Sequence, residues 1–64
     1  MVKINGEEKN AMDKTIGEYL TENGYDVRRV AVELNGDILP KAQYGNTILQ
    51  DGDSMEIVSF VGGG

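Results

Sequence analysis

The chain has 64 residues, with eleven acidic against six basic side chains for a net charge of −5, and it contains neither histidine nor cysteine. That length builds one small domain, and the composition leaves no disulfide, no thiolate metal site, no thiol nucleophile and no histidine base. The acidic balance also disfavours phosphate-backbone binding, which needs clustered Lys and Arg, so nucleic acid is not an expected partner.

Val2-Lys3-Ile4 alternates at strand period, and Asn5-Gly6 supplies the two positive-φ residues of a type I′ turn, so Glu7 onward is expected to return as a second strand. That second strand is polar, Glu7-Glu8-Lys9-Asn10, and its strand propensity is weak. Thr15 and Glu18 have the spacing of a capping box, which makes Thr15 an N-cap. Ile16, Tyr19 and Leu20 then fall on one helical face, and Gly24 stands where a left-handed residue would end the helix, with Tyr25 folding back onto Leu20. The spacing predicts a helix over residues 16–23. Arg28-Arg29, the one basic pair, reads as a solvated turn before a strand.

Val30-Ala31-Val32-Glu33-Leu34 carries the strongest strand pattern, with Val30, Val32 and Leu34 on one face, and Asn35-Gly36 repeats the hairpin signal. Ile38-Leu39 is a short return strand stopped by Pro40. Residues 41–46 read as a turn or a single helical turn, Thr47-Ile48-Leu49 as a brief pairing, and Asp51-Gly52-Asp53 as the turn into a last strand over residues 55–61. In that strand Met55, Ile57, Ser59 and Val61 alternate with Glu56, Val58 and Phe60. Because Glu56 belongs in water, Val58 and Phe60 are expected to form an exposed apolar pair, a candidate docking site together with Val61.

A hairpin, a crossing helix and further strands in so short a chain fit an α+β fold, a mixed sheet with one helix packed on one face. This is the β-grasp, or ubiquitin-like, arrangement. It would occupy residues 1–61, leaving residues 62–64 as a flexible tail, Gly62-Gly63-Gly64. If the last strand is central, that tail leaves from a well-anchored element as a stalk of at most ~14 Å. Three glycines cannot pack in a core, but a backbone without Cβ atoms can thread a slot too narrow for any other residue, presenting the α-carboxylate of Gly64. A plain linker is the competing reading of the same residues.

Other chemistry finds little purchase. Ser54 and Ser59 lie in no nucleophile elbow, and with no histidine no Ser-His pair is possible. Asp37, Asp51 and Asp53 lack the ordered ligand spacing of a calcium loop, and no glycine-rich stretch precedes a helix to cradle phosphate. Met1, Met12 and Met55 read as a start residue and gap fillers. No apolar stretch reaches membrane-spanning length and no basic segment leads into one, so a soluble, cytoplasmic protein with no membrane partner is expected.

Taken in order, Asn5-Gly6-Glu7, the run from Val30 through Asn35-Gly36-Asp37 to Pro40, Asp51-Gly52-Asp53, and Glu56-Ile57-Val58 leading to Val61-Gly62-Gly63-Gly64 resemble the ThiS family, sulfur carriers of thiamin (thiazole) biosynthesis. The resemblance implies a non-catalytic cosubstrate. A ubiquitin-activating-like adenylyltransferase, using ATP and magnesium that this chain does not itself bind, would adenylate the Gly64 carboxylate. A cysteine desulfurase or other sulfur donor would convert it to a thiocarboxylate, and a thiazole synthase would take the sulfur. Gly62 and Gly63 would thread the partner's active site. The second strand is more polar than the family usually shows, and Lys41 stands where an arginine is frequent. Two related roles use the same tail: the small subunit of molybdopterin synthase, and a ubiquitin-like modifier that joins Gly64 to lysines of target proteins.

Overall fold

The computed structural model describes residues 1–60. Five strands and one helix follow in the expected order: β1 (Val2–Ile4), β2 (Glu7–Lys9), α1 (Ile16–Glu22), β3 (Val30–Leu34), β4 (Asp37–Leu39) and β5 (Ser54–Ser59). Two short 3-10 turns, Val27–Arg29 and Lys41–Gln43, occupy the stretches read from sequence as turns.

The strands form one mixed sheet in the order β2-β1-β5-β3-β4. β5, the last in sequence, lies in the middle, parallel to β1 and antiparallel to β3. This is the β-grasp topology. The two hairpins are closed by the residues predicted to close them: Asn5 and Gly6 take φ values of 50° and 84°, and Asn35 and Gly36 take 53° and 89°. Those left-handed conformations match the twist of the flanking strands, and glycine adopts them without a Cβ clash.

The capping box opens α1. The Glu18 amide donates to the Thr15 hydroxyl at 3.0 Å, and the Thr15 amide donates to the Glu18 carboxylate at 2.8 Å, so two amides left over at the helix start are satisfied. The helix ends one residue earlier than predicted, with Asn23 as the cap. The Tyr25 amide donates to the Leu20 carbonyl at 2.9 Å and Gly24 to Thr21 at 3.2 Å, the paired bonds of a Schellman ending, with Gly24 at φ 79°.

The core lies between α1 and one face of the sheet. Val2 and Ile4 of β1, Val30 and Val32 of β3, and Met55 and Ile57 of β5 are buried against Ile16, Tyr19 and Leu20. Three loop residues complete it: Ala11, Tyr44 and Leu49. None of these three stands in a periodic run, so local pattern does not single them out. Backbone bonds fasten these loops to the helix and to each other: Gly17 donates to the Tyr44 carbonyl, Ile16 to Thr47, and Leu49 to Lys14, all at 2.8–2.9 Å. The brief pairing expected at Thr47-Ile48-Leu49 is a single bridge between Ile48 and Thr15.

β5 begins at Ser54, one residue before the predicted start, and its ladder with β3 ends at the pair Val30 and Ser59. Beyond that pair the residue opposite, Arg29, already belongs to the 3-10 turn before β3, so Phe60 lies past the strand end rather than in it. One more bond follows, from the Phe60 amide to the Arg29 carbonyl at 2.7 Å.

Candidate functional site: the outer sheet face beside the end of the central strand

The strand pleat sends alternate residues to opposite faces, and the register shows which outward residues are neighbours. On β5 the inward set is Met55 and Ile57, leaving Glu56 and Val58 outward. Val58 pairs with Ala31 of β3, and Glu56 with Glu33. Val58 is 53% exposed and Phe60 54%, so the apolar pair expected from sequence does lie open to solvent, Val58 within the ladder to β3 and Phe60 just beyond its end. Val61, the third residue of the predicted docking site, and Gly62, Gly63 and Gly64 lie outside the described residues.

The central strand is also held on its other side. Direct β1 pairing covers only Ser54 and Met55, opposite Lys3 and Ile4. Where β1 turns away, the Asn5 side chain takes over. Its amide oxygen accepts from the Ile57 backbone amide at 2.7 Å, while the Asn5 backbone amide donates to the Met55 carbonyl at 2.9 Å. Asn5 therefore does two things, closing the first hairpin in a left-handed conformation and extending the hold on β5 by one step. Sequence reading found the first role. The second depends on a partner 52 positions away and has no local signal.

Around the strand end sits a small basic turn. Asp26 caps it, its carboxylate accepting from the Arg28 amide at 3.0 Å and lying within 3.3 Å of the Arg28 guanidinium and 3.7 Å of that of Arg29. Hydrogen bonds from the Arg28 side chain and amide, together with the charges of both arginines, hold the Asp26 carboxyl below the usual carboxylate range. The same contact raises the Arg28 guanidinium further above neutrality. The Lys41 ammonium donates to the Arg28 carbonyl at 3.0 Å, joining the loop after β4 to this turn. Phe60 bonds the next carbonyl, that of Arg29, so the end of β5 is tied to this turn.

Two of the three aspartates weighed for a cation, Asp51 and Asp53, have partners within the chain. The Asp53 carboxylate accepts from the Gln50 amide at 2.9 Å and the Asn35 side chain at 3.1 Å, and Asp51 pairs with the Met1 ammonium. Among the described residues, no group of three or more carboxylates could hold a metal ion. Nor is any helix of the described residues long and apolar enough to cross a membrane. The described residues of this region offer apolar surface at Val58 and Phe60 and exposed charge beside it.

Comparisons with known proteins give this surface its context. A thiazole synthase of Paramagnetospirillum magneticum is 50% identical over 62 residues, 95% of this chain but 19% of its own length. A thiazole synthase of Magnetococcus marinus is 39% identical over 64 residues, so the chain spans about a fifth of the length of these two relatives. The sulfur carrier protein ThiS of Thermus thermophilus is 38% identical over 64 residues, and there the match covers the whole of both chains. Among solved structures, the thiamine biosynthesis protein ThiS of Geobacter metallireducens superposes with a TM-score of 0.76 at 31% identity, covering 98% of this chain and 97% of that one. With the ThiS family model also matching residues 2–64, the chain belongs to the ThiS family.

Proposed function

We propose that the chain is a sulfur carrier of thiamin biosynthesis, whose Gly64 α-carboxylate is activated and converted to a thiocarboxylate that donates sulfur for the thiazole ring. The observation that carries this reading is the end-to-end match to the Thermus thermophilus sulfur carrier. The fold supports it through β5, which is fastened on both sides and leads to an exposed apolar pair next to the glycine run.

The chemistry explains the division of labour. A carboxylate is anionic and resonance-stabilised, so a nucleophile does not displace its oxygen. Attack by the Gly64 carboxylate on the α-phosphorus of ATP expels pyrophosphate and leaves an acyl adenylate, whose AMP is a good leaving group. ATP and magnesium are substrates of the activating partner, a ubiquitin-activating-like adenylyltransferase. Sulfur from the persulfide of a cysteine desulfurase then displaces AMP. A thiol supplies the two electrons that split the S–S bond of the acyl disulfide and free the thiocarboxylate. This chain has no cysteine, so any such disulfide uses a cysteine of the partner. Thiazole synthase is the acceptor. The carrier catalyses no step itself, and it works in the compartment where these enzymes and a thiol reductant reside, the cytoplasm. Gly62 and Gly63 thread the partner's channel, and Val58, Phe60 and Val61 dock its rim.

The test is the intact mass of the protein after incubation with ATP-magnesium, an adenylating enzyme, and a desulfurase with cysteine. The expected result is a gain equal to exchanging one oxygen for sulfur, localised to Gly64. No change with an enzyme set that thiocarboxylates another carrier would overturn the proposal.

A further inference from the structure

The register sets Ile38, Glu33 and Glu56 in one straight row across β4, β3 and β5 on the outer face of the sheet. Glu33 and Glu56 are directly opposed and both are exposed. Like charges in that arrangement repel and destabilise a sheet. Among the described residues neither carboxylate has a cation within ion-pair distance. The ion pairs there join Met1 to Asp51, Lys9 to Glu7, Lys14 to Glu22, and Arg28 and Arg29 to Asp26. Lys3, the outward cation of β1, stands in the neighbouring row between Glu8 and Ser54.

Apolar surface flanks this pair. Ile38 ends the row at the sheet edge and is 78% exposed, and the next row holds Ala31 and Val58. Folding alone gives no reason for two opposed carboxylates between exposed apolar side chains, since one exchange of Glu for Lys would turn repulsion into attraction. A partner supplies the reason. A guanidinium entering between the two carboxylates meets both at once, relieves their repulsion, and brings apolar surface over Ile38 and Val58.

We infer that Glu33 and Glu56 form an anionic clasp for a basic side chain, best matched by arginine, on the adenylating partner, with Ile38 and Val58 covered in the same contact. This rests on the proposed function and deepens it by naming the charge that the partner must carry. The clasp is destabilising in the free protein and stabilising in the complex. It therefore selects a partner, and its exposed charges also steer encounter.

The experiment compares Glu33→Gln, Glu56→Gln, the double variant and Glu56→Lys, with Glu7→Gln as a control outside the row. KM and kcat are read from ATP–pyrophosphate exchange by an enzyme that adenylates the unaltered chain, at low and raised salt, alongside the melting temperature of each free variant. The expected result is a KM about tenfold higher for each single Gln variant with kcat unchanged, and a flatter salt dependence. Melting temperatures should hold or rise, and Glu56→Lys should give the weakest docking in a well-folded domain. A double variant with unaltered KM would overturn the clasp and leave the sulfur-carrier reading standing. If the unaltered chain is not adenylated by an enzyme active on another carrier, the proposed function fails, and this assignment of the clasp falls with it.

Discussion

The two faces of the sheet are built from the same strands and differ by a shift of one residue. Inward, Val2, Ile4, Val30, Val32, Met55 and Ile57 are buried against the helix. Outward, Lys3, Glu33, Glu56, Val58 and Ile38 lie open to solvent. The inner residues are all apolar and make register costly to change, because slipping one strand by one position would expose its whole buried set. The outer residues carry no such burden. An apolar residue or an ill-matched charge pair found there needs a reason outside the monomer, and the ThiS family membership indicates where to look for it.

This contrast breaks most severely from the inside. Leu20 is fully buried at the centre of the core, so Leu20→Ala should lower unfolding free energy by about 2–5 kcal/mol, measured by urea denaturation. A loss below ~1 kcal/mol would mean that the helix closes over the gap and that the inner face is softer than its packing implies. The outer face sharpens the comparison: Phe60→Ala should change stability by no more than ~1 kcal/mol while impairing adenylation by the partner. A drop of several kcal/mol with normal adenylation would make Phe60 a core residue and remove it from the docking surface.

The smallest effect concerns pH. Asp26 and Asp51 are both held below the usual carboxylate range. For Asp26 the causes are the Arg28 hydrogen bonds, then its charge and that of Arg29. For Asp51 they are the hydrogen bond from the terminal ammonium, then its charge. A carboxyl depressed on folding stabilises the native state above its unfolded value and loses that contribution as pH falls through the folded one. Thermal midpoints should therefore fall slightly from about pH 4 downward, and Asp26→Asn should reduce that slope. Lys14 behaves oppositely. Its ammonium is raised by the hydrogen bond and charge of Glu22, so its contribution is complete below the ordinary lysine value and disappears as pH rises through the folded one. A melting profile flat from pH 2 to 6 would indicate that the Asp26 and Asp51 pairs hold no stability.

What could be read from sequence was whatever the chain encodes within a few residues. Both Asn-Gly turns, the Thr15–Glu18 capping box, the Gly24 ending and the exposure of Val58 and Phe60 follow from local spacing or alternation, and each is found in the structure. What escaped depends on distant partners. Tyr44 and Leu49 sit in a loop without periodicity, yet they are buried because that loop folds over α1, bonded to it through Gly17 and Ile16 and to the residue before its cap, Lys14. The second role of Asn5 requires β5 beside it. The Glu33–Glu56 opposition exists only once β3 and β5 have found their register. Asp13, with φ 71° and no glycine to advertise it, is a left-handed position that composition does not mark.

The place of β5 in the sheet has a consequence for synthesis. β1 with β2, and β3 with β4, are separate hairpins that no ladder joins until β5 enters between them. A ribosome delivers residues 54–59 after every other strand, so the nascent chain holds two unconnected halves until then, and long-range pairing of this kind is slow to form. A product cut short before β5 would hold two hairpins with no strand to join them. Only a chain translated through residues 54–59 can close its two hairpins into one sheet and display Val58 on the outer face.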